Sequence, residues 1–341
     1  SGGTTINAGG TIACAVAGAL GTGGVTNQGT LNLAAGAVAY TFGGLAGTGT
    51  VNAVLGAGSG TASLAPGSYD GFTGVLNAGV GAAAGTGKLM LQIPFSPLAT
   101  VNVLSNGTVY VANSAYEHPF ILVGGDTGES LGQLRIENAT VSGGVILAGN
   151  MTGSGDGFVG ANTGQSGAIS GSIGESGGAR MLSKSGGGTI LLSGSNTYSG
   201  GTTIYDGYLD LASSAGPAIP GVITNGGWIY ISNGNNQFSS NTFMVIPTNG
   251  TPSGAKYGIL ELDGFSQTLR GISGGSSAWG FMEAAQNRAA GSSATLTVNT
   301  LSPGDSFVYS GAIRNQSGAM AFTKTGPGNQ TLAGACTYTG P

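Results

Sequence analysis

The chain has 341 residues, of which only 6% are charged and 70 are glycine, and its formal net charge is −4. Glycine at this level without a Gly-X-Y period, and with only 11 prolines, excludes collagen, while 40% hydrophobic residues at low net charge exclude a disordered chain. Nine basic against 13 acidic side chains leave no basic stripe for nucleic acid and no polybasic segment for anionic lipid.

Length alone would suggest one to three globular domains. No stretch approaches the ~18 consecutive apolar residues of a membrane helix. The first residues lack the charged region and apolar core of a signal peptide, so an exported form would already have lost its signal.

Along the chain, helical signal is nearly absent, because glycine interrupts almost every window that would show apolar residues at i, i+3, i+4 and i+7. Ala278 to Gly291, AWGFMEAAQNRAAG, is the one candidate for a helical turn, and it reads better as a decorated loop. Strand signal is frequent and short. A glycine is followed by alternating apolar positions in GTLNL (29–33), GTVNAV (49–54), GKLMLQI (87–93), GTVYV (107–111), GQLRI (132–136), GTILL (188–192), GYLDL (207–211), GWIYI (227–231) and GILEL (258–262). Alternation at period two places one set of side chains inside and the other outside, with Leu209 and Leu211 in and Tyr208 and Asp210 out.

Starts at 29 and 49, at 87 and 107, and at 188, 207 and 227 are each about 20 residues apart, which is one coil of a three-sided β-solenoid. Two-residue NG and DG hairpin turns are rare. At about 4.8 Å per coil, roughly 16–17 coils would make a rod on the order of 80 Å long. Texture varies along it: plain Gly/Ala coils over 1–87, decorated coils over 88–163, and repeat-motif coils over 164–341. No linker interrupts the chain, so residues 1–341 read as a single continuous solenoid.

Part of the chain recurs. MLSKSGGGTILLSGSNTYSG (181–200) aligns without a gap to AFTKTGPGNQTLAGACTYTG (321–340), an offset of 140 residues. The offset sets Lys184 on Lys324, Gly186 on Gly326, Leu192 on Leu332, Gly194 on Gly334 and Tyr198 on Tyr338. Fixed-period self-similarity marks stacked architectures. The block GGGTILLSGSNTYSGGTTIYDGYLDL resembles the autotransporter-associated β-strand repeat of bacterial passenger regions, closely at 184–211 and well at 324–340. Cys336 and Asn329-Gln330 depart from that pattern. The resemblance implies a right-handed parallel β-helix, export and an extracellular, cell-surface role, and it implies no cofactor.

The opening SGGTTI recurs at Ser199 to Ile204, directly after the first NTY, and the second copy ends CTYTGP. The two ends therefore read as halves of one repeat. The expected partner is a second copy of the chain, stacked head to tail through Ser1, Gly2, Gly3, Thr4, Thr5, Ile6 and Cys14 at one end and Cys336, Thr337, Tyr338, Thr339, Gly340 and Pro341 at the other. A fragment boundary falling arbitrarily inside a repeat is the bland alternative. Cys14 and Cys336 are too far apart in a rod to bridge within one chain. Two readings stand for them: a disulfide between subunits, or two buried thiols acting as small hydrophobes.

Chemistry-bearing residues are sparse. His118 is the sole histidine and reads as a loop residue, so no catalytic triad and no histidine metal site can be assembled. Asp206 with Asp210, and Glu261 with Asp263, form carboxylate pairs that suit acid–base work or Ca²⁺ but read foremost as solvated outer-face residues. GDGF (155–158) and GGDTG (124–128) read as turns, and the N-x-S/T sequons as chance. These features point to a non-enzymatic surface-fibre segment. An adhesin binding glycans or host and matrix surfaces through 88–163 or 228–290 is the second reading, and a polysaccharide-degrading enzyme a distant third.

Overall fold

A computed structural model describes residues 2–33, 39–55, 61–65, 67–69, 71–80, 87–124, 131–149, 157–247, 258–276 and 283–340. Its regular structure is all β, with no helix among the described residues. The strands are short, and the two that carry 29–33 and 49–54, Thr30–Leu33 and Thr50–Ala53, each follow directly on a glycine. All ladder pairings between them are parallel, as in Thr30–Leu33 on Thr50–Ala53. The chain is a parallel β-solenoid.

Strands gather into sheets of four, eight, thirteen, ten and three members. The chain visits them in rotation. Early turns pass from the four- to the eight- to the thirteen-stranded sheet, and middle turns from the eight- to the thirteen- to the ten-stranded one. The last turns pass from the thirteen- to the ten- to the three-stranded sheet. The thirteen-stranded sheet runs unbroken from Ala39–Tyr40 to Asn329–Leu332. At about 4.8 Å per step that ladder is roughly 60 Å long.

Spacing departs from the expected coil of about 20 residues: the typical repeat is about 25. A step of 20 residues does occur, from Asn32 to Asn52. The steps from Asn52 to Asn77 and from Asn77 to Asn102 are 25. Between Trp228 and Ile259 the step is 31. Extra residues enter at corners, where no ladder partner constrains length, so the turns are fewer than a 20-residue coil would give.

The core is a stack of identical columns. In the eight-stranded sheet Leu31, Val51, Leu76, Val101, Phe120, Val145 and Ile173 lie one above the next, all buried. The neighbouring outward column carries Asn32, Asn52, Asn77 and Asn102, and the amides of Asn52, Asn77 and Asn102 each donate to the side-chain oxygen of the asparagine before at 2.9 Å. Leu209 and Leu211 are buried while Tyr208 and Asp210 face outward, as the alternation requires. The loop expected over Ala278 to Gly291 is corrected in part: Glu283–Asn287 is a strand of the ten-stranded sheet, and 278–282 lie outside the described residues.

Candidate functional site

The motif copy at 181–200 is built around a lysine in the core. Val159, Lys184 and Ile204 follow one another in one inward column of the thirteen-stranded sheet, and Lys184 is fully buried. Its ammonium donates to the Gly186 carbonyl, to Gly188 O at 2.7 Å and to Asp206 O at 2.9 Å. Three acceptors match the three donors of the charged form. Burial pushes its pKa down to about 7, with the Asp206 charge opposing. Lys184 thereby fastens its own corner and ties it to the next turn.

Buried asparagines do the same work at other corners. Asn27 donates to Thr50 O at 2.9 Å, and Asn225 donates to Ile259 O at 3.1 Å. Each accepts the backbone N–H two residues ahead at 3.1 Å. The sequence marks these positions only as an Asn at the end of an apolar run.

The second copy repeats part of this geometry, the lysine contact to the glycine two residues on, while Lys324 otherwise reaches Thr300 Oγ1 at 2.9 Å and its own corner. Lys324 donates to Gly326 O at 3.0 Å and to Thr325 O at 2.6 Å. Gly186 and Gly326 hold φ of 72° and 77°, a left-handed corner that favours glycine. Gly194 and Gly334 each pass so close to the preceding turn that an added Cβ would sit 2.2 Å from Gly171 O and 2.0 Å from Gly311 O. Glu175 accepts from Ser199 N and Arg180 N at 2.8 and 2.7 Å, and Asn315 accepts from Thr339 N and Met320 N at 3.2 and 2.8 Å. These are equivalent positions in the two copies.

This is the motif of a described family. The segments 182–211 and 322–341 match the model of the Passenger-associated-transport-repeat. The passenger repeat is the bacterial passenger β-repeat that the sequence resembles, and its two matches coincide with the two copies just described. No curated protein and no solved structure matches the chain.

Coverage separates the two passenger repeats. In the first, Ile190 and Leu192 are buried and Tyr198 is fully enclosed, its hydroxyl 2.6 Å from Thr202 Oγ1. In the second, Leu332 and Tyr338 are half-buried, and Thr337 and Thr339 are exposed. Tyr338 leans on Phe322, centroids 6.4 Å apart. At the other end Gly2, Gly3 and Thr5 are exposed, Thr4 is half-buried and Ile6 is buried, while Ser1 and Pro341 lie outside the described residues. Cys14 and Cys336 are both free thiols. Cys14 is buried, as expected, but Cys336 is exposed, which corrects the reading of two buried thiols.

The carboxylate pairs do not survive as pairs of solvated residues. Asp206 sits at a corner, where its Oδ1 accepts Gly207 N at 2.7 Å. Asp210, Tyr230, Glu261, Gln286 and Arg314 instead form one column across the ten-stranded sheet. Glu261 is fully buried, a correction, because the following turn covers it. Its Oε2 accepts from Gln286 at 2.7 Å, and Arg314 in turn donates to Gln286 at 2.7 Å. Asp210 Oδ1 and Glu261 Oε1 have no hydrogen-bond partner among the described residues. Burial pushes the Glu261 carboxyl up to about 7, with Gln286 opposing. Asp263 pairs with Arg288 at 2.8 Å. The Arg288 guanidinium lies 4.7 Å from the Tyr230 ring centroid, and Tyr230 stacks on Tyr208 at 5.6 Å beside Trp228.

His118 is also corrected. It lies in the short loop between Ala115–Tyr116 and Phe120–Leu122, as expected, but it is fully buried, ringed by Phe95, Tyr116 and Phe120 at 5.4, 5.9 and 4.7 Å. Neither ring nitrogen makes a well-formed hydrogen bond among the described residues. Burial pushes its pKa down to about 4, opposed by a loose contact to the Phe95 backbone.

Besides Asp263–Arg288, two more ion pairs carried no expectation from the sequence. Arg135 donates to Glu137 at 2.8 Å beneath Tyr110, and Arg270 grips Asp305 through both nitrogens at 3.0 and 2.5 Å. The first was signalled by i, i+2 spacing on one strand face. The second joins residues 35 apart and carried no local signal. No group of three or more metal-ligating side chains gathers among the described residues.

Proposed function

We propose that the chain is a structural, non-enzymatic building block of a bacterial surface filament, lying outside the cell and assembling head to tail with copies of itself. The carrying observation is the unbroken parallel ladder in which two passenger repeats share the lysine-to-glycine corner contact. Such a ladder stores its stability in neighbouring turns and resists bending. In this reading residues 1–341 form one three-sided rod, supported by the turns over 108–175 and 258–332, whose strands pass through three sheets. The winding is right-handed, as nearly all parallel crossovers are. Export rests on the passenger-repeat match. Electron microscopy with sedimentation velocity tests it: rods that lengthen with concentration support the reading, and particles of one length at every concentration reject it.

One observation favours a second reading, an adhesin. Tyr208, Trp228 and Tyr230 set three rings side by side on an outward face with Arg288 over one of them. Aromatic faces with polar neighbours suit the apolar faces of sugar rings. Saturable binding to an oligosaccharide panel, lost in Tyr230→Ala, supports this role, and no binding across the panel rejects it.

A further inference from the structure

The four-stranded sheet ends at Gly71–Phe72, and the ten-stranded sheet begins at Ala115–Tyr116. Each of these strands leads directly into the eight-stranded sheet, at Val75–Ala78 and at Phe120–Leu122. In the turn between them the same place is taken by residues 92–99, QIPFSPLA, which form no strand. Pro94 and Pro97 have no N–H to give to a ladder there. The eight- and thirteen-stranded ladders run past this break without a gap.

Aromatic rings fill the break. Phe95 is buried against Tyr69 at 4.0 Å and Phe72 at 5.6 Å, and His118 closes the cluster against Phe95 and Phe120. The Tyr69 and Tyr116 hydroxyls donate to backbone, to Leu64 O at 2.9 Å and Leu91 O at 3.0 Å. The imidazole nitrogens find no such partner. A second break is held differently. The eight-stranded sheet ends at Ile173–Glu175, and the three-stranded sheet begins at Gln267–Leu269. Between them Asn196 accepts from Ile173 N at 2.8 Å and donates to Ala218 O at 2.6 Å. Gln237 accepts from Ser213 N and donates to Ser213 O, both at 2.8 Å. Side-chain amides stitch the second break, whereas the first is held by apolar contact around one ionisable ring.

We propose that the break at 92–99 is an acid-sensitive joint in the rod: when His118 takes up a proton its ring leaves the aromatic cluster and the 92–99 segment comes away with it, while the ladders beside it hold. An imidazolium enclosed by rings, with neither acceptor nor counter-charge, pays its full desolvation cost. The titratable groups facing it are the Tyr69 and Tyr116 phenols, which burial pushes up and so keeps neutral in acid. Glu117 beside it is exposed, the next turn lays Gly143 against its backbone, and no charge among the described residues acts on the ring. Asp70 lies outside the described residues. Burial holds the enclosed histidine at about 4 against the ordinary 6.5 of the open form. The open form therefore binds the extra proton between those values, and opening becomes easier as pH falls through them. The joint lies inside one chain and does not depend on assembly.

Hydrogen exchange of the intact chain, read by mass spectrometry and divided by the unstructured amide rate at each pH, tests the joint. Exchange over 92–99 and 115–122 is expected to rise on the order of fiftyfold between pH 7.5 and 4.5. Residues 134–147, which lie within three ladders, and the amide-stitched 196–218 are expected to stay level. His118→Gln, which carries no charge, is expected to abolish the rise, and His118→Phe serves the same purpose should the glutamine variant not fold. A level profile over 92–99 in the wild-type chain overturns the joint. So does a rise of equal size along the whole rod, or a rise that persists in a folded variant without the histidine.

Discussion

Lys184 and Asp206 lie on successive turns, 22 residues apart in the chain, and the ammonium of one donates to the backbone carbonyl of the other at 2.9 Å. A cation placed in an apolar column is costly unless every donor is used. Here its donors are used on Gly186 O, Gly188 O and Asp206 O. The lysine therefore acts as a rivet between turns and has no need of an acid–base role.

Lys184→Met keeps length and removes the donors, so three corner carbonyls lose a charge-assisted bond. Loss of about 2–4 kcal/mol of unfolding free energy is expected. Lys324→Met, at a half-exposed position with no described turn above it, is expected to cost less than about 1 kcal/mol in the unassembled chain. Denaturant unfolding of both variants at low concentration checks the contrast, and equal losses would refute it.

Gly194→Ala drives a methyl onto the Gly171 carbonyl at 2.2 Å, and backbone cannot yield as a flexible side chain does. The ladder must open locally, at a cost of about 3 kcal/mol or more. Thermal melts and proteolysis near residues 171–194 are the measurements. An unchanged melting temperature would show the turns to be more loosely stacked than this geometry.

His118 holds two buried nitrogens without well-formed partners, so His118→Phe removes their desolvation cost and fits an aromatic cluster already present. A gain of about 1–3 kcal/mol is expected. The gain depends on pH. The folded histidine has its pKa depressed to about 4, so the unfolded chain binds the extra proton between about 6.5 and 4. The wild-type chain therefore loses stability as pH falls through that window, and the Phe variant escapes that loss.

Glu261 works in the opposite sense. Its folded pKa is raised from 4.5 to about 7, so the folded chain keeps a proton that the unfolded chain releases. Stability is full below about 4.5 and falls as pH rises toward 7. Glu261→Gln removes that slope, worth on the order of 2 kcal/mol. The histidine and the glutamate nearly cancel across the same window. A wild-type melting temperature that is flat between pH 4.5 and 6.5, with slopes of opposite sign in the two single variants, is the expected result.

The amide ladder offers a local test. Asn52 both donates to Asn32 and accepts from Asn77. Asn52→Ala breaks two half-exposed side-chain bonds, for a loss of about 1–2 kcal/mol. Hydrogen exchange is expected to rise at residues 30–33 and 75–78 rather than along the whole rod.

Period-two alternation behind glycine corners was enough to read a parallel solenoid, because each turn meets only its neighbours and so obeys a local rule. The repeat at 181–200 and 321–340 was legible for the same reason, as were the inward leucines at 209 and 211. Burial of His118 and Glu261 was not legible. A polar side chain is enclosed or exposed according to what the next turn lays over it, and that turn begins at a distance set by corner insertions that leave no periodic mark. Turn length, the Arg270–Asp305 pair across 35 residues and the column joining Asp210 to Arg314 were decided only when the turns were stacked in register.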